Sequence, residues 1–268
     1  MIILYCVLGF FALCLLLYLL ILVRPAGRKP ADTRLLTDYA HRGLHGDGVP
    51  ENALQAFEKA VQAGYGIELD VQLSSDGVVM VFHDYTLTRM TGREEKLCSL
   101  TSQELQSLSL AGTDQTIPTL SQVLELIDGR VPLLVELKGE DLNADLCPKV
   151  ASLLKDYKGP YCVESFNPLL IKSVRKALPG VYCGQLYTNV CRDKKKHSLL
   201  NMILSAMAFN FLARPNFIAY NEKDRHTLPV RLACGLYGAP RFVWTVRTEQ
   251  GVEAAHKAGE YPIFETEL

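Results

Sequence analysis

Titratable side chains recur in short clusters along this chain, and their types suit one kind of chemistry. His41-Arg42-Gly43 ends a stretch of strand character, and Pro50-Glu51-Asn52 opens the helix-like stretch that follows. Glu68 and Asp70 stand two apart in the apolar run 66–73, so in a strand both carboxylates point to one side. Glu136 and Lys138 repeat this arrangement around Leu137, and His83-Asp84 ends another short apolar run. Each cluster has an ordinary reading. A strand-end histidine is usually a hydrogen-bonded structural group, alternate carboxylates usually mark a solvated face, and Glu-x-Lys is often a same-face ion pair. Together, on inward-facing and otherwise apolar strands, three carboxylates, a lysine, an arginine and two histidines are costly to bury unless paired or metal-bound. The set suits phosphodiester hydrolysis. Glu68, Asp70 and Glu136 are hard oxygen ligands appropriate to Mg²⁺ or Ca²⁺. Arg42 and Lys138 are cations for phosphoryl oxygens, and His41 and His83 can divide the roles of base and acid.

The elements that must position these groups follow from the pattern around them. Beyond residue 38 the chain alternates strand-like and helix-like stretches, with strands expected at 39–41, 66–73, 131–138, 161–166, 181–187, 216–220, 242–246 and 262–265. Amphipathic stretches lie between, such as Leu54, Phe57 and Val61 ended by Gly64, or Leu146, Val150, Leu153, Leu154 and Tyr157. Thr119 with Gln122 forms a capping box ahead of Val123, Leu124 and Ile127. Such alternation predicts parallel strands joined by helical crossovers. The run 78–83 is the exception, because only Ser74-Ser75-Asp76-Gly77 separates it from the strand before. A parallel crossover needs a dozen or more residues, so this run must return antiparallel as a hairpin and bring His83 back to the strand end. Without it eight strands remain, the number that closes a (β/α)8 TIM barrel, whose active sites lie at the C-terminal strand ends. Residues 85–118 read as a small insertion after the second strand, with its own capping box of Thr101 and Glu104.

In this order, His41-Arg42-Gly43, Pro50-Glu51-Asn52, Glu68-Leu69-Asp70, Asp76-Gly77 followed by His83-Asp84, and Glu136-Leu137-Lys138 resemble the signature of the glycerophosphodiester phosphodiesterase family. Phe242-Val243-Trp244-Thr245-Val246 is similar to that family's late Trp-Thr-Val strand, and the resemblance runs from about residue 39 onward. It implies a TIM barrel, a divalent metal and cleavage of a glycerophosphodiester to glycerol 3-phosphate and an alcohol. It also implies His41 and His83 as acid and base, with Glu68, Asp70 and Glu136 at the metal, Lys138 on phosphate and Trp244 lining the substrate site. Without the resemblance Trp244 reads as a core aromatic. Glu51, Asn52 and Asp84 are expected to support these groups from behind. Two departures stand out. Ala53 occupies a position where the family usually has Thr, and 262–265 replaces the Gly-rich strand end and further helix of many relatives. The linker 24–38 is then expected to cover the face left open. A lysophospholipase D acting on membrane lysophospholipids is the neighbouring enzymatic reading, and a catalytically silent lipid- or phosphate-binding module is the non-enzymatic one.

Composition sets the surroundings. A net charge of −1 over 268 residues argues against a nucleic-acid partner, and 49% hydrophobic residues argue against disorder. Residues 2–23 carry no charge, and as a helix they span about 33 Å, enough for a bilayer core. The uncharged start and the Arg24-Pro25 exit do not match a cleaved signal peptide. The expected organisation is therefore a transmembrane helix over 1–23, a linker over 24–38 and a barrel over 39–268. Arg24, Arg28, Lys29 and Arg34 place the body in the cytoplasm by the positive-inside rule. Eight cysteines show no CxxC or zinc-type spacing, as suits a reducing compartment. Lys194-Lys195-Lys196 ahead of Leu199, Leu200, Ile203, Leu204, Met207, Phe211 and Leu212 reads as a barrel helix over 194–213. Docking of that segment on anionic lipid is the alternative.

Overall fold

The computed structural model describes residues 1–139 and 145–265, so the expected barrel end at 266–268 lies outside the described residues. Among the described residues nine strands form in chain order: β1 (Tyr39–His41), β2 (Gly66–Leu73), β3 (Val79–Val81), β4 (Leu133–Leu137), β5 (Tyr161–Ser165), β6 (Tyr182–Tyr187), β7 (Phe217–Asn221), β8 (Arg241–Val246) and β9 (Tyr261–Phe264). All but β3 run parallel, each beside the next, and β9 pairs with β1 to close an eight-stranded TIM barrel. As its short connection requires, β3 pairs antiparallel with β2, Val71 opposite Val81. Phe82 N then donates to Asp70 O at 2.9 Å, which returns the chain to the barrel rim.

Alternation along the strands separates two interiors. Ile67, Leu69, Val71 and Leu73 face outward into the apolar layer shared with the helices, together with Phe57, Ala60, Val123, Val150 and Leu154. The barrel's own lumen has an apolar floor of Tyr39, Leu134, Cys162, Tyr182, Phe217 and Phe242. Two residues further along each strand the same inward direction meets the open end, so Tyr39 is followed by His41, Leu134 by Glu136, Cys162 by Glu164 and Phe242 by Trp244. On β6 the corresponding position is Gly184, where a Cβ would lie 2.0 Å from the Phe217 ring. Glycine there lets Phe217 fill the lumen beneath the polar layer.

Both expected capping boxes form, Thr101 with Glu104 and Thr119 with Gln122. Ala53 stands at the N-cap of the helix Leu54–Ala63 and makes no side-chain cap, as its methyl group dictates. The insertion builds a separate small core in which Leu87, Leu97 and Leu105 pack on Met80 and Phe82 of the hairpin.

Two expectations differ from the structure. The linker 24–38 makes its contacts beneath the lumen, where Leu35 joins the apolar floor and its carbonyl accepts from Tyr39 Oη at 3.0 Å. Leu35 finds there a closed apolar surface. Phe264, outward on β9, is covered instead by the Tyr65 ring at 4.9 Å. The segment 194–213 is not one helix. It forms Leu199–Ser205 and Asn210–Ala213, with Met207 between them at a left-handed φ of 50°. The break turns Asn210 toward the N-terminal helix, where its Nδ2 donates to Val23 O at 2.8 Å. That N-terminal helix covers Ile2–Leu17 and continues as a π-helical turn to Leu22, long and apolar enough to cross a membrane.

Candidate active site

The clusters singled out in the sequence converge on the open end of the lumen. A cleft of about 280 Å³ is lined there by His41, His83, Glu68, Glu136 and Lys138, with Trp244 on its far wall. Asp70 lies fully buried behind it. Ligand oxygens of Glu68, Asp70 and Glu136 all fall within 4.8 Å of one another. Lys138 Nζ sits 3.1 Å from Asp70 Oδ1 and 3.0 Å from Glu136 Oε1. Asn52 Nδ2 donates to Asp70 Oδ2 at 2.9 Å, and Arg42 N donates to Glu68 Oε2 at 3.0 Å. Arg42 and Asn52 both hold left-handed backbone conformations, φ 57° and 55°, a strain that buys this convergence of backbone and side chain on the carboxylates.

Each histidine is held by a carboxylate through Nδ1. His41 Nδ1 lies 2.5 Å from Glu265 Oε1, and His83 Nδ1 lies 2.6 Å from Asp84 Oδ1. Donation from Nδ1 to those oxygens assigns the tautomer and turns Nε2 of each ring away from its holding carboxylate, with His41 Nε2 3.9 Å from Glu68 Oε2. Burial lowers the pKa of both imidazoles, only partly offset at His41 by Glu265 and at His83 by Asp70 and Asp84. Burial would raise Glu265, but the His41 hydrogen bond and the Arg247 charge outweigh it and bring it to about 2. Behind the rim, Arg89 joins the two sides: its Nε donates to Asp84 at 2.6 Å and its Nη2 to Glu51 at 2.6 Å. Glu51 in turn accepts from Arg42 Nη1 at 2.8 Å.

Two participants were not singled out in the sequence. Glu164 on β5 stands opposite Glu136 in register and lines the cleft with Oε2 buried and unpartnered. Glu265, one residue past β9, holds His41. Both fall at the ends of strands that the sequence delineates, and reading the inward phase of every strand end reaches them.

The electrostatics favour a bound cation. Burial, then the neighbouring Asp70 charge, pushes Glu68 well above the usual carboxylate range. Burial likewise raises Glu136 to about 7, despite Lys138, and raises Glu164 well above its usual value. Of these four Asp70 alone is driven down, because Lys138, His83 and Arg42 together outweigh its burial. Four buried carboxylates thus face two cations, Arg42 and Lys138, a deficit that one divalent ion on hard oxygen ligands would balance. Trp244 is fixed by its Nε1 donating to Ala219 O at 3.0 Å and meets the Phe166 ring edge-on at 5.6 Å.

Acidic oxygens, fixed cations and two oriented imidazoles at the mouth of a parallel barrel are the equipment of a hydrolase acting on phosphoric esters. Residues 41–265 match the glycerophosphoryl diester phosphodiesterase family, and the chain belongs to it. The glycerophosphodiester phosphodiesterase of Caldanaerobacter subterraneus is 32% identical over 232 residues, 82% of this chain and 89% of that protein. Human glycerophosphodiester phosphodiesterase 1 is 35% identical over 159 residues, 55% of this chain and 47% of its own length. Among solved structures, an Oleispira antarctica phosphodiesterase in complex with the product sn-glycerol-3-phosphate shares the barrel, with a TM-score of 0.72 at 24% identity over 88% of this chain and 95% of that one. The Thermotoga maritima glycerophosphodiester phosphodiesterase superposes with a TM-score of 0.66 at 26% identity over 86% of this chain and 94% of that one.

Proposed function

We propose that this protein is a membrane-anchored, metal-dependent phosphoric diester hydrolase of lipid metabolism that cleaves glycerophosphodiesters to glycerol 3-phosphate and an alcohol. The observation that carries the reading is the pair of carboxylate-held histidines on either side of the buried carboxylate cluster, around one small cleft. Glu68, Asp70 and Glu136 would hold Mg²⁺ or Ca²⁺, which when bound supplies Lewis-acid neutralisation of phosphoryl charge. Arg42 and Lys138 bind and orient the phosphoryl oxygens, and Trp244 with Phe166 packs the glycerol side of the cleft. One imidazole accepts a proton from water as the water oxygen bonds to phosphorus. The other donates its proton to the departing alkoxide as the phosphorus–oxygen bond breaks. Glu265, Asp84 and the Arg89–Glu51 pair keep the rings and Arg42 in place.

The basic flank of Arg24, Arg28, Lys29 and Arg34 favours a cytoplasmic body, with Ile2–Leu22 in the bilayer. The deciding experiment is alcohol release from glycerophosphocholine by the full chain, with and without EDTA. Metal-dependent turnover, lowered by two to four orders of magnitude in His41→Ala and in His83→Ala, is the expected result. No metal-dependent turnover of any glycerophosphodiester or lysophospholipid would return the chain to a silent phosphate-binding module.

A further inference from the structure

A cavity of about 860 Å³ opens at the other end of the barrel, beneath the lumen floor. Its lining reaches Tyr161 and Tyr182, the first residues of β5 and β6, and Asn216, which directly precedes β7. It shares no lining residue with the catalytic cleft. Arg24, Arg28 and Lys29 of the linker line it together with Arg175 and Arg214 of the barrel. Among the described residues the lining thus holds five cations and one carboxylate, Asp32, which Arg34 already engages at 2.6 Å.

These cations differ from the arginines elsewhere. Arg42, Arg89, Arg130, Arg192 and Arg225 each pair with a carboxylate at 2.5–2.9 Å. The five around the cavity pair with none among the described residues, yet several are held in place. Arg24 lies over the Tyr237 ring, 5.6 Å from its centroid. Arg175 Nη1 donates to the Ala213 carbonyl at 3.5 Å and to that of Arg214, while its Nε and Nη2 make no hydrogen bond. Asn216 is only 8% exposed, and its Oδ1 accepts from Cys183 N at 3.1 Å. That leaves its Nδ2 as an unpartnered donor for the cavity it lines. The linker wall is fixed as well, because Ala26 N donates to Pro215 O at 2.7 Å. Gly27, at φ 60°, lets it pass Tyr237 O, where a Cβ would lie 2.9 Å away. A flank that only orients a membrane helix needs Arg24, Arg28 and Lys29. It has no use for Arg175 and Arg214, which two other segments bring to the same space.

We propose that this cavity is a second anion site, for a soluble molecule that carries two or more phosphate groups. A phosphate monoester holds about −1.5 to −2 charges near pH 7, so five cations match roughly two or three such groups. The volume, toward the upper end of the roughly 300–1,000 Å³ of ligand pockets, agrees with an anion larger than one phosphate. Guanidinium forks bind phosphate oxygens in pairs, and a cavity walled by one sign of charge concentrates the field inside it. The course of the N-terminal helix favours a soluble ligand over a lipid head group. Ala26 meets Pro215 at the floor, Val23 O meets Asn210, and Tyr18 Oη donates to Ala206 O at 3.0 Å. From residue 26 back to residue 18 the chain therefore climbs toward the catalytic rim, and the exposed helix Ile2–Leu17 continues that way. The floor then faces solvent. A ligand there ties the linker to the barrel, and with it the N-terminal helix.

The test is calorimetric titration of the full chain, in phosphatidylcholine nanodiscs with EDTA, by tripolyphosphate. Expected is saturable binding of one tripolyphosphate per chain. Arg214→Gln, and Arg28→Gln combined with Lys29→Gln, each weaken it roughly tenfold or more. Lys59→Gln, at an exposed position outside the cavity, changes it less than about twofold. Melting temperatures without ligand show that the variants are folded. Absence of saturable binding by the unmodified chain overturns the proposal whether or not any variant folds, and so does binding that both cavity variants retain. Nanodiscs that also contain phosphatidylinositol 4,5-bisphosphate are expected to leave the titration unchanged. Loss of tripolyphosphate binding in them gives the site to a lipid head group and overturns the soluble ligand. None of these readouts involves hydrolysis, so they stand apart from the outcome for the catalytic cleft.

Discussion

Glu265→Gln changes one charge and almost no volume at the carboxylate that holds His41. The two side chains are 12% and 19% exposed, so their hydrogen bond of 2.5 Å is little screened by solvent. A hydrogen bond to an ionised partner in such a place contributes about 1.5–3 kcal/mol, which corresponds to a loss of about 10- to 150-fold in kcat. The larger loss applies when the amide turns its NH2 toward Nδ1, because the ring then takes the other tautomer and Nε2 carries the proton. KM changes little, since Glu265 holds a ring and not the phosphoryl group. The pH profile reads the same contact. Burial lowers the pKa of His41 and Glu265 raises it, so removing the charge moves the His41 titration to lower pH. If His41 is the base, the acid limb of kcat/KM moves down; if it is the acid, the alkaline limb moves down. Arg247→Ala is the control, because Arg247 also pairs with Glu265 from an exposed position. A loss under threefold with both limbs unmoved would refute the positioning role of Glu265.

Glu68→Gln is expected to raise the melting temperature of metal-free protein, because burial and then the Asp70 and Glu136 charges disfavour its carboxylate, and to abolish the rise that metal gives the unmodified chain. That rise is roughly 5–10 °C at a metal concentration a hundred times Kd, and thermal melts with and without Mg²⁺ or Ca²⁺ measure it. Asp76, which accepts from Ser74 and Ser102 and is lowered to about 2 mainly by the Ser74 hydroxyl, ties the hairpin turn to the insertion. Its folded pKa lies below the ordinary 3.8, so its stabilisation is present above that pH and is lost as pH falls toward 2. The stability gap between the unmodified chain and Asp76→Asn should therefore close over that window, and a gap constant with pH tells against the clasp. Gly184→Ala should lower stability by roughly 1–3 kcal/mol, because its methyl group meets the Phe217 ring. An unchanged melt would show that the floor ring has room to move.

The barrel was legible because every strand that builds it carries either alternating inward polar groups or an apolar run bounded by turn residues. The short loop before β3 admitted only a hairpin, and that loop alone places His83 at the same rim as His41. Glu164 and Glu265 escaped for a related reason. Each is a lone carboxylate on its strand, and its meaning depends on the neighbouring strand: Glu164 lies opposite Glu136, while Glu265 meets His41 across 224 residues, through barrel closure. The helix expected over 194–213 failed on a contact no local periodicity contains. Asn210 turns out of line to satisfy Val23 O, 187 residues away, so the stripe was read correctly as apolar and wrongly as continuous.

The ion pairs behind the cleft give the insertion a purpose beyond closing a loop. His83, Asp84, Arg89, Glu51 and Arg42 form one chain of contacts, from the hairpin end across the insertion to the turn after β1. Arg42 Nε then reaches Asp70 Oδ2 at 3.4 Å. Arg89 alone comes from the insertion, and its helical turn Thr88–Thr91 is held by Leu87 and Met90 in the small separate core. Glu68, Asp70 and Glu136 lie within strands, so the rigid barrel fixes their backbones directly. His83 and Arg42 lie past strand ends, where backbone alone leaves the side chain loose. A separate apolar core beside the rim supplies the missing anchorage, and Arg89 passes it to both groups through two carboxylates.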